Sequence, residues 1–214
     1  MENFEKRRDR FEFFEGFENP LLNLSFDLEV KDFRPFCKAH NLPPFHFFLY
    51  CFFTSMNEID NFKYRVLNGE VFKVDQLIGS YTILNSDNLF NFTRFDLYTD
   101  LQEFIQHSQL AKEEVSKAKG LMNTGLELSP REMKNYVFIT CLPWLKMTAI
   151  EHPTYKYKSS DIPSVAWGKF SPLGTSDLSI PLSVQAHHGF VDAYHIHLLA
   201  QAIEKKIALL IGQP

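Results

Sequence analysis

The chain has 214 residues, a hydrophobic content of 45% and a formal net charge of −4, with no basic block outside EKRRDR at 5–10. This length suits one domain over residues 1–214, and the mild acidity argues against nucleic acid or another extended polyanion as a partner. No apolar run reaches the roughly 20 residues that span a membrane, and the N-terminus lacks the plan of a secretory signal, so we expect a cytoplasmic protein that binds a small molecule.

The cysteines and histidines do not suggest a metal site. Cys37, Cys51 and Cys141 are an odd number without CxxC spacing, which favours neither a disulfide framework nor a thiolate site. The eight histidines lack an HExxH-like ligand pattern. His195 and His197 are expected to flank a helix start rather than bind zinc, so no metal is predicted.

The first half of the chain contains three local patterns. Residues 24–30 alternate between apolar and polar side chains, which predicts a strand with one face on a core. Residues 43–56 (PPFHFFLYCFFTSM) are apolar almost all round and open with prolines, as is typical of a buried helix. Two strand-like runs between 62 and 74 flank Asn68-Gly69, a pair that favours a tight type I′ hairpin turn.

The second half predicts helices over 96–119 and 193–212 and strands over 136–142 and 178–186. Within the last strand, Pro181 removes one hydrogen-bond donor, which suggests a sheet edge or a bulge. Because strands and helices interleave irregularly, the expected fold is α/β (α+β), a two-layer sandwich in which helices pack on a mixed β-sheet.

The stretch HHGFVDAY at 187–194 falls where the last strand ends and the last helix begins. A side chain at such a junction can project into a cleft while rigid elements hold it, and His188 there could act as a general base. Alternatively, Asp192 is only the N-cap of the last helix, and the histidines are hydrogen-bonded polar residues at a strand end. Spacing alone leaves both interpretations open.

Several segments resemble, in order, those of the trimeric chloramphenicol acetyltransferases. QAHHGFVDA at 185–193 is similar to the family signature QVHHAVCDG, and RRDRFEFF at 7–14 to its R-(R/K)-E-H-F-E segment. Further matches are NGE at 68–70, YT at 81–82, ITCLPW at 139–144, GKF at 168–170 and IPLSVQ at 180–185.

The resemblance implies a coenzyme-A-dependent acyltransferase that forms a homotrimer with its active site between subunits. Acetyl-CoA would be the cosubstrate, and chloramphenicol or a similar small molecule with a hydroxyl group would be the acceptor, as in antibiotic resistance. His188 would be the general base, which removes the hydroxyl proton while the oxygen attacks the thioester directly.

Other family roles map onto single positions. Asp192 would pair with Arg7 and fix the loop that carries the base, and His187 would support the site. Lys169 matches a lysine near the coenzyme A phosphates. The alternatives are that Arg7 is a solvated charge in a basic cluster and that Lys169 is an ordinary surface lysine.

Some positions depart from the family pattern. Ala149 stands where the family has a serine that donates to the oxyanion, and the loss of one such donor can lower turnover about 10²–10³-fold. Thr148 is the candidate substitute, although adjacent side chains of an extended segment face opposite ways. Ala193 replaces a family glycine. Ser86 and Asn88 lie where relatives have other polar residues around the acceptor.

These departures keep two alternatives open. One is a catalytically impaired relative that binds coenzyme A or a small molecule without reaction. The other is an enzyme like the dihydrolipoamide acyltransferases, which share the fold and an HHxxxDG-type box. It fits less well because no lipoyl domain or Pro/Ala-rich linker precedes the core.

Overall fold

The computed structural model describes residues 2–122, 124–154 and 160–212. Their helices are α1 (Glu2–Glu5), α2 (Arg8–Glu15), α3 (Phe33–Ala39), α4 (Pro44–Asn57), α5 (Leu101–Lys117) and α6 (Ala193–Ile211). Their strands are β1 (Leu21–Val30), β2 (Tyr64–Leu67), β3 (Glu70–Lys73), β4 (Ile78–Leu84), β5 (Phe90–Phe92), β6 (Phe95–Asp96), β7 (Tyr136–Cys141), β8 (Ser164–Trp167), β9 (Ser171–Leu173) and β10 (Asp177–His187). Within these residues no helix is long and apolar enough to cross a membrane.

One mixed sheet organises the molecule. Its strands follow the order β1-β10-β8-β7-β4-β5, with β6 beside β4 and β9 beside β10. β10 pairs antiparallel with β1 and β8, whereas β7 pairs parallel with β4 and β8. The mixed sheet and its packed helices confirm the predicted fold class.

Helix α4 lies in the core, as its composition predicts. Its residues from His46 to Phe53 are all buried, and the helix packs against α5 and α6. Trp167, at the end of β8, meets the rings of Phe48 and Phe52 with centroid distances of 5.2 and 5.8 Å. Because α4 has neighbours on every side, it needs no polar face.

The β2–β3 hairpin also forms as predicted. Asn68 and Gly69 have φ angles of +53° and +82°. Both angles lie in the left-handed region, which asparagine tolerates and glycine adopts freely. The Asn-Gly pair therefore sets the register of this hairpin.

The helix predicted over residues 96–119 is shorter at both ends. Asp96 belongs to β6, which pairs with β4. The helix begins after Asp100, whose side chain accepts a hydrogen bond from Glu103 N at 2.9 Å. It ends at Lys117, before Gly120, because Ala118 is already extended. Local capping and strand pairing override the helical periodicity at these ends.

Strand β10 is an interior strand, so the edge suggested by Pro181 is wrong. The strand pairs with β1 on one side and with β8 and β9 on the other. The Pro181 carbonyl accepts from Gly168 N at 3.0 Å. The N and O atoms of one strand residue point to the same side, so the missing donor faces the gap between β8 and β9. A proline is tolerated here because the partner strand is interrupted.

Candidate active site

The histidine pair lies on a short loop that joins β10 to α6. His187 is the last residue of β10, and its carbonyl accepts from the amides of Phe190 and Val191, both at 2.9 Å. The amide of His188 donates to Pro20 O at 2.7 Å. These bonds hold the loop backbone on both sides of His188.

The side chain of His188 has a defined tautomer and a defined ring plane. Its Nδ1 lies 3.1 Å from Val191 O. A carbonyl oxygen only accepts, so Nδ1 must carry the ring proton and Nε2 the lone pair. The half-buried ring stacks on Phe14 at a centroid distance of 4.1 Å and an angle of 25°. This is the arrangement that a neutral general base requires.

Asp192 both caps α6 and binds Arg7. Its Oδ1 accepts from Tyr194 N at 3.0 Å, and its Oδ2 lies 2.9 Å from Arg7 Nη1. Arg7 Nε also donates to Gly189 O at 3.4 Å. Burial alone would raise the pKa of Asp192, but the hydrogen bond from Arg7 holds it below its usual value. The N-cap role and the ion pair are therefore present together.

His187 differs from its neighbour in environment. Its Nδ1 accepts from Gly189 N at 3.1 Å, and its Nε2 is 3.5 Å from the Glu15 carboxylate. Burial lowers the pKa of His187 to about 4, which keeps the ring neutral at pH 7. A Cβ on Gly189 would lie 2.8 Å from Phe11 Cα. The backbones of α2 and of the β10–α6 loop are thus in close contact at Phe11 and Gly189.

The remaining predicted site residues lie on other loops. Thr148 is exposed after β7, and Lys169 is exposed between β8 and β9. Ser86 and Asn88 are exposed in the β4–β5 turn, where Asn88 has a φ of +58°. Among the described residues, no hydrogen bond joins any of these four to His188.

A cavity of about 530 Å³, here called the apolar cavity, lies beside β4, β7 and β8. Its lining residues are Leu67, Ser80, Phe92, Thr93, Met122, Thr124, Pro130, Met133, Lys134, Tyr136, Phe138, Pro153, Thr154, Ser160, Ile162 and Ser164. Neither His188 nor the two predicted acceptor residues of the β4–β5 turn belong to this lining. One copy of the described chain therefore does not bring the base into this cavity.

A second concave region, the basic cleft, lies between α3, the start of α4 and α5. Its volume is about 820 Å³, and its lining includes Arg34, Lys38 and Phe170. Arg34 Nη2 donates to Phe170 O at 3.3 Å, which places this cation beside the loop that carries Lys169. Clustered cations of this kind suit a phosphorylated ligand.

Comparison with known proteins identifies the family. The family model described as chloramphenicol acetyltransferase matches residues 2–204. The chain belongs to the chloramphenicol acetyltransferase family. It is 21% identical over 202 residues to a chloramphenicol acetyltransferase of Proteus mirabilis, covering 93% of this chain and 89% of that one. It is 23% identical over 192 residues to one of Bacillus pumilus, covering 88% and 84%.

Solved structures agree with this assignment. A chloramphenicol acetyltransferase superposes with a TM-score of 0.85 and 25% identity, covering 94% of this chain and 95% of that one. A dihydrolipoamide acetyltransferase of Azotobacter vinelandii gives 0.66 at 12% identity, covering 96% and 88%, and shares the fold alone. This chloramphenicol acetyltransferase family member is an acyltransferase, and its family uses acetyl-CoA. Within the described residues, no group of three or more His, Cys, Asp or Glu side chains is placed to hold a metal ion.

Two contacts in this family member escaped the sequence analysis. Phe14 stacks on His188. Phe14 follows Arg7 by seven residues, or two helical turns, and this spacing could have predicted that both side chains face the same loop. Asn61 Nδ2 donates to Phe190 O at 2.7 Å across a separation of 129 positions. No local pattern predicts such a contact, because only the tertiary fold brings the two segments together.

Proposed function

We propose that this protein is an acetyl-CoA-dependent O-acetyltransferase that acetylates a hydroxyl of chloramphenicol or of a similar small molecule. The observation that carries the proposal is the hydrogen bond between His188 Nδ1 and Val191 O. It leaves Nε2 as a proton acceptor at a loop between rigid elements. Membership of the chloramphenicol acetyltransferase family supports acetyl-CoA as the donor.

In the proposed reaction, His188 Nε2 removes the hydroxyl proton as the oxygen attacks the thioester carbonyl carbon. A C–O bond forms, the C–S bond breaks, and the departing thiolate takes the proton back from the imidazolium. Such general-base assistance is typically worth about 10²–10⁴ in rate. Asp192, Arg7 and His187 act as positioning residues, because they hold the loop rather than touch the reacting atoms.

The basic cleft supports a place for the donor. Arg34, Lys38 and the nearby Lys169 offer positive charge to the phosphates of coenzyme A. The oxyanion donor is proposed to be Thr148, since Ala149 has no hydroxyl. If no other group replaces the missing serine, the chain would bind its ligands without turnover, which is the second candidate function.

We also propose that the site is completed between subunits of a homotrimer. His188 is absent from the described lining of the apolar cavity, whereas an acceptor must reach both the base and an enclosing pocket. A neighbouring copy can supply the cavity that faces His188. Ser86 and Asn88, in the exposed β4–β5 turn, are proposed to approach the acceptor only in this assembly.

The proposal is tested by thiol release from acetyl-CoA in the presence of chloramphenicol and a panel of other alcohols. We expect turnover with at least one alcohol and a loss of about 10²–10⁴ in kcat for His188→Ala. The exposed His197 is the matched control, and His197→Ala should leave kcat unchanged. Coenzyme A binding without thiol release from any alcohol would favour the binding protein, and reaction with dihydrolipoamide alone would favour the other enzyme class.

A further inference from the structure

One end of the apolar cavity contains an ion pair. Lys134 lines the cavity, and its Nζ lies 2.6 Å from Asp161 Oδ1, with side-chain exposures of 13% and 2%. The other carboxylate oxygen of Asp161 accepts from Val66 N. Withdrawing such a pair from water costs free energy that mutual attraction often fails to recover. The pair is therefore poorly explained by stability alone.

The charge at this end of the cavity is positive. Arg65 lies behind the pair and is fully buried. Its guanidinium donates to four backbone carbonyl oxygens, the closest being Lys134 O at 2.6 Å. Burial lowers the pKa of Arg65 to about 10, which leaves it protonated at neutral pH. Two cationic side chains, Arg65 and Lys134, therefore lie beside one carboxylate, that of Asp161.

Ser160 adds a hydroxyl group at the same end. It lines the apolar cavity beside Asp161 and is only 7% exposed. No described residue offers its hydroxyl a hydrogen-bond partner. Nearly all buried polar groups are hydrogen-bonded, so a hydroxyl without a partner among the described residues is suited to bind a polar group of a ligand in the cavity.

The rest of the lining is of a different character. Phe92, Met133 and Phe138 contribute apolar surface, and the rings of Tyr136 and Phe138 lie parallel within 10° at 6.0 Å. A ligand that matches this cavity has a flat apolar body. Its end near Lys134 and Ser160 must offer acceptors, because the ammonium group donates only.

We propose that Ser160 and Lys134 determine acceptor specificity by binding an oxygen group, such as nitro, carbonyl or carboxylate, at the end of an aromatic alcohol remote from the hydroxyl that is acetylated. This inference rests on the proposed acetyl transfer for its biological meaning. The ammonium of Lys134 and the hydroxyl of Ser160 donate to the oxygen group, while Asp161 keeps Lys134 in place.

The test uses three alcohols that differ only at the para position: 4-nitrobenzyl alcohol, 4-(hydroxymethyl)benzoate and 4-methylbenzyl alcohol. Ligand-observed NMR titration of the intact protein without acetyl-CoA measures binding independently of turnover. A hydrogen bond to a charged donor predicts that the nitro or carboxylate compound binds at least about tenfold more tightly than the methyl compound. Equal affinities, or no binding of either oxygen compound, would overturn the proposal.

Two variants locate the effect. Ser160→Ala should lower the preference for the oxygen compounds severalfold. In the double variant Lys134→Met/Asp161→Asn, the oxygen compounds and the methyl compound should bind with nearly equal affinity, while the affinity for the methyl compound stays as in the wild type. The double change avoids an uncompensated buried carboxylate and keeps an acceptor for the Val66 amide. Ser164→Ala, which changes a lining serine of β8, is the matched control and should retain the preference.

A preference unchanged in both test variants would contradict the assignment even if the wild type discriminates. The outcomes for binding and for turnover separate the two proposals. Discrimination in the titration without thiol release from acetyl-CoA supports the specificity residues and contradicts acetyl transfer. Thiol release with three equal affinities supports acetyl transfer and contradicts the specificity residues.

Discussion

His187 and His188 are adjacent in sequence, yet the structure gives them different chemistry. His187 ends a buried strand and has lost nearly all contact with water, whereas His188 is half-buried on the loop that follows. Burial disfavours the imidazolium of His187, while the bond to Val191 O fixes the tautomer of His188. Of these two adjacent histidines, His187 therefore supports the loop, and His188 is the proposed general base.

The low pKa of His187 predicts acid sensitivity of the fold. At pH values between the ordinary pKa of 6.5 and the folded-state pKa of about 4, His187 is protonated in the unfolded chain and neutral in the folded chain. The free energy of unfolding should therefore decrease as the pH falls through this window, by up to about 1.4 kcal/mol per pH unit from this group. His46, whose pKa burial also lowers to about 4, adds a similar dependence.

The measurement is urea unfolding between pH 7 and pH 4 at fixed protein concentration. His187→Asn keeps an acceptor for Gly189 N but cannot titrate, so its slope against pH should be shallower by about 1.4 kcal/mol per unit. His197→Asn changes an exposed histidine and should keep the wild-type slope. If His187→Asn has the wild-type slope as well, the buried neutral histidine is not the cause.

At the scale of elements, α2 positions the loop between β10 and α6. Arg7 precedes its first turn and binds Asp192. Phe11 stacks on Phe190 at 4.9 Å and 9°, and Phe14 stacks on His188. Because residues three and four apart share one helical face, a single face of α2 contacts the whole loop. The helix therefore sets the position of the loop and the orientation of its histidine.

Removal of the ring beneath His188 should slow the reaction. An aromatic stack contributes about 0.5–1.5 kcal/mol beyond burial, so Phe14→Leu should lower kcat about 2–10-fold if the ring orients the base in the transition state. KM for the alcohol should change less than kcat. Tyr98 stacks on His107 at 4.4 Å and 3°, so Tyr98→Leu removes a similar ring pair elsewhere and should leave kcat unchanged. Equal losses in both variants would show a general effect on packing.

At the scale of the whole molecule, the candidate base His188 does not belong to the described lining of the apolar cavity. His188 lies between β10 and α6, and the described cavity lining comes from other elements, including β4, β7 and β8. If the proposed reaction uses both His188 and this cavity, two copies would face each other across the site, as in the proposed trimer.

Mixing two inactive variants tests that arrangement. His188→Ala removes the base, and Ser164→Trp fills the cavity. If each site combines the base of one copy with the cavity of another, co-expression in equal amounts should restore about a quarter of wild-type activity, because a quarter of the sites receive two intact halves. Each variant alone should be inactive while retaining the wild-type oligomeric mass. If the mixed oligomers are inactive, the base and the cavity of each site must come from the same chain.

Much of the fold follows from local physics. The almost entirely apolar stretch at 43–56 favours a buried helix, and Asn68-Gly69 accepts the left-handed angles that a tight turn needs. Pro181 shows the limit of such reasoning: the missing donor was visible, but whether a neighbour needed that donor depended on where β8 and β9 end. Strand neighbours are a property of the sheet and not of the strand.

The sequence by itself determined the buried helix near 43–56, the Asn68-Gly69 hairpin, the last helix, the strands that became β1, β7 and β10, the family resemblance and the candidate base. These depend on side-chain periodicity and on motifs read along the chain. Tertiary structure alone decided which nitrogen of His188 is free, that Asn61 and Phe14 hold its loop and ring, and that Lys134, Asp161 and Ser160 meet in one cavity. The physical reason is range: hydrogen bonds and desolvation act over a few ångströms in space, between residues that the chain separates by many positions.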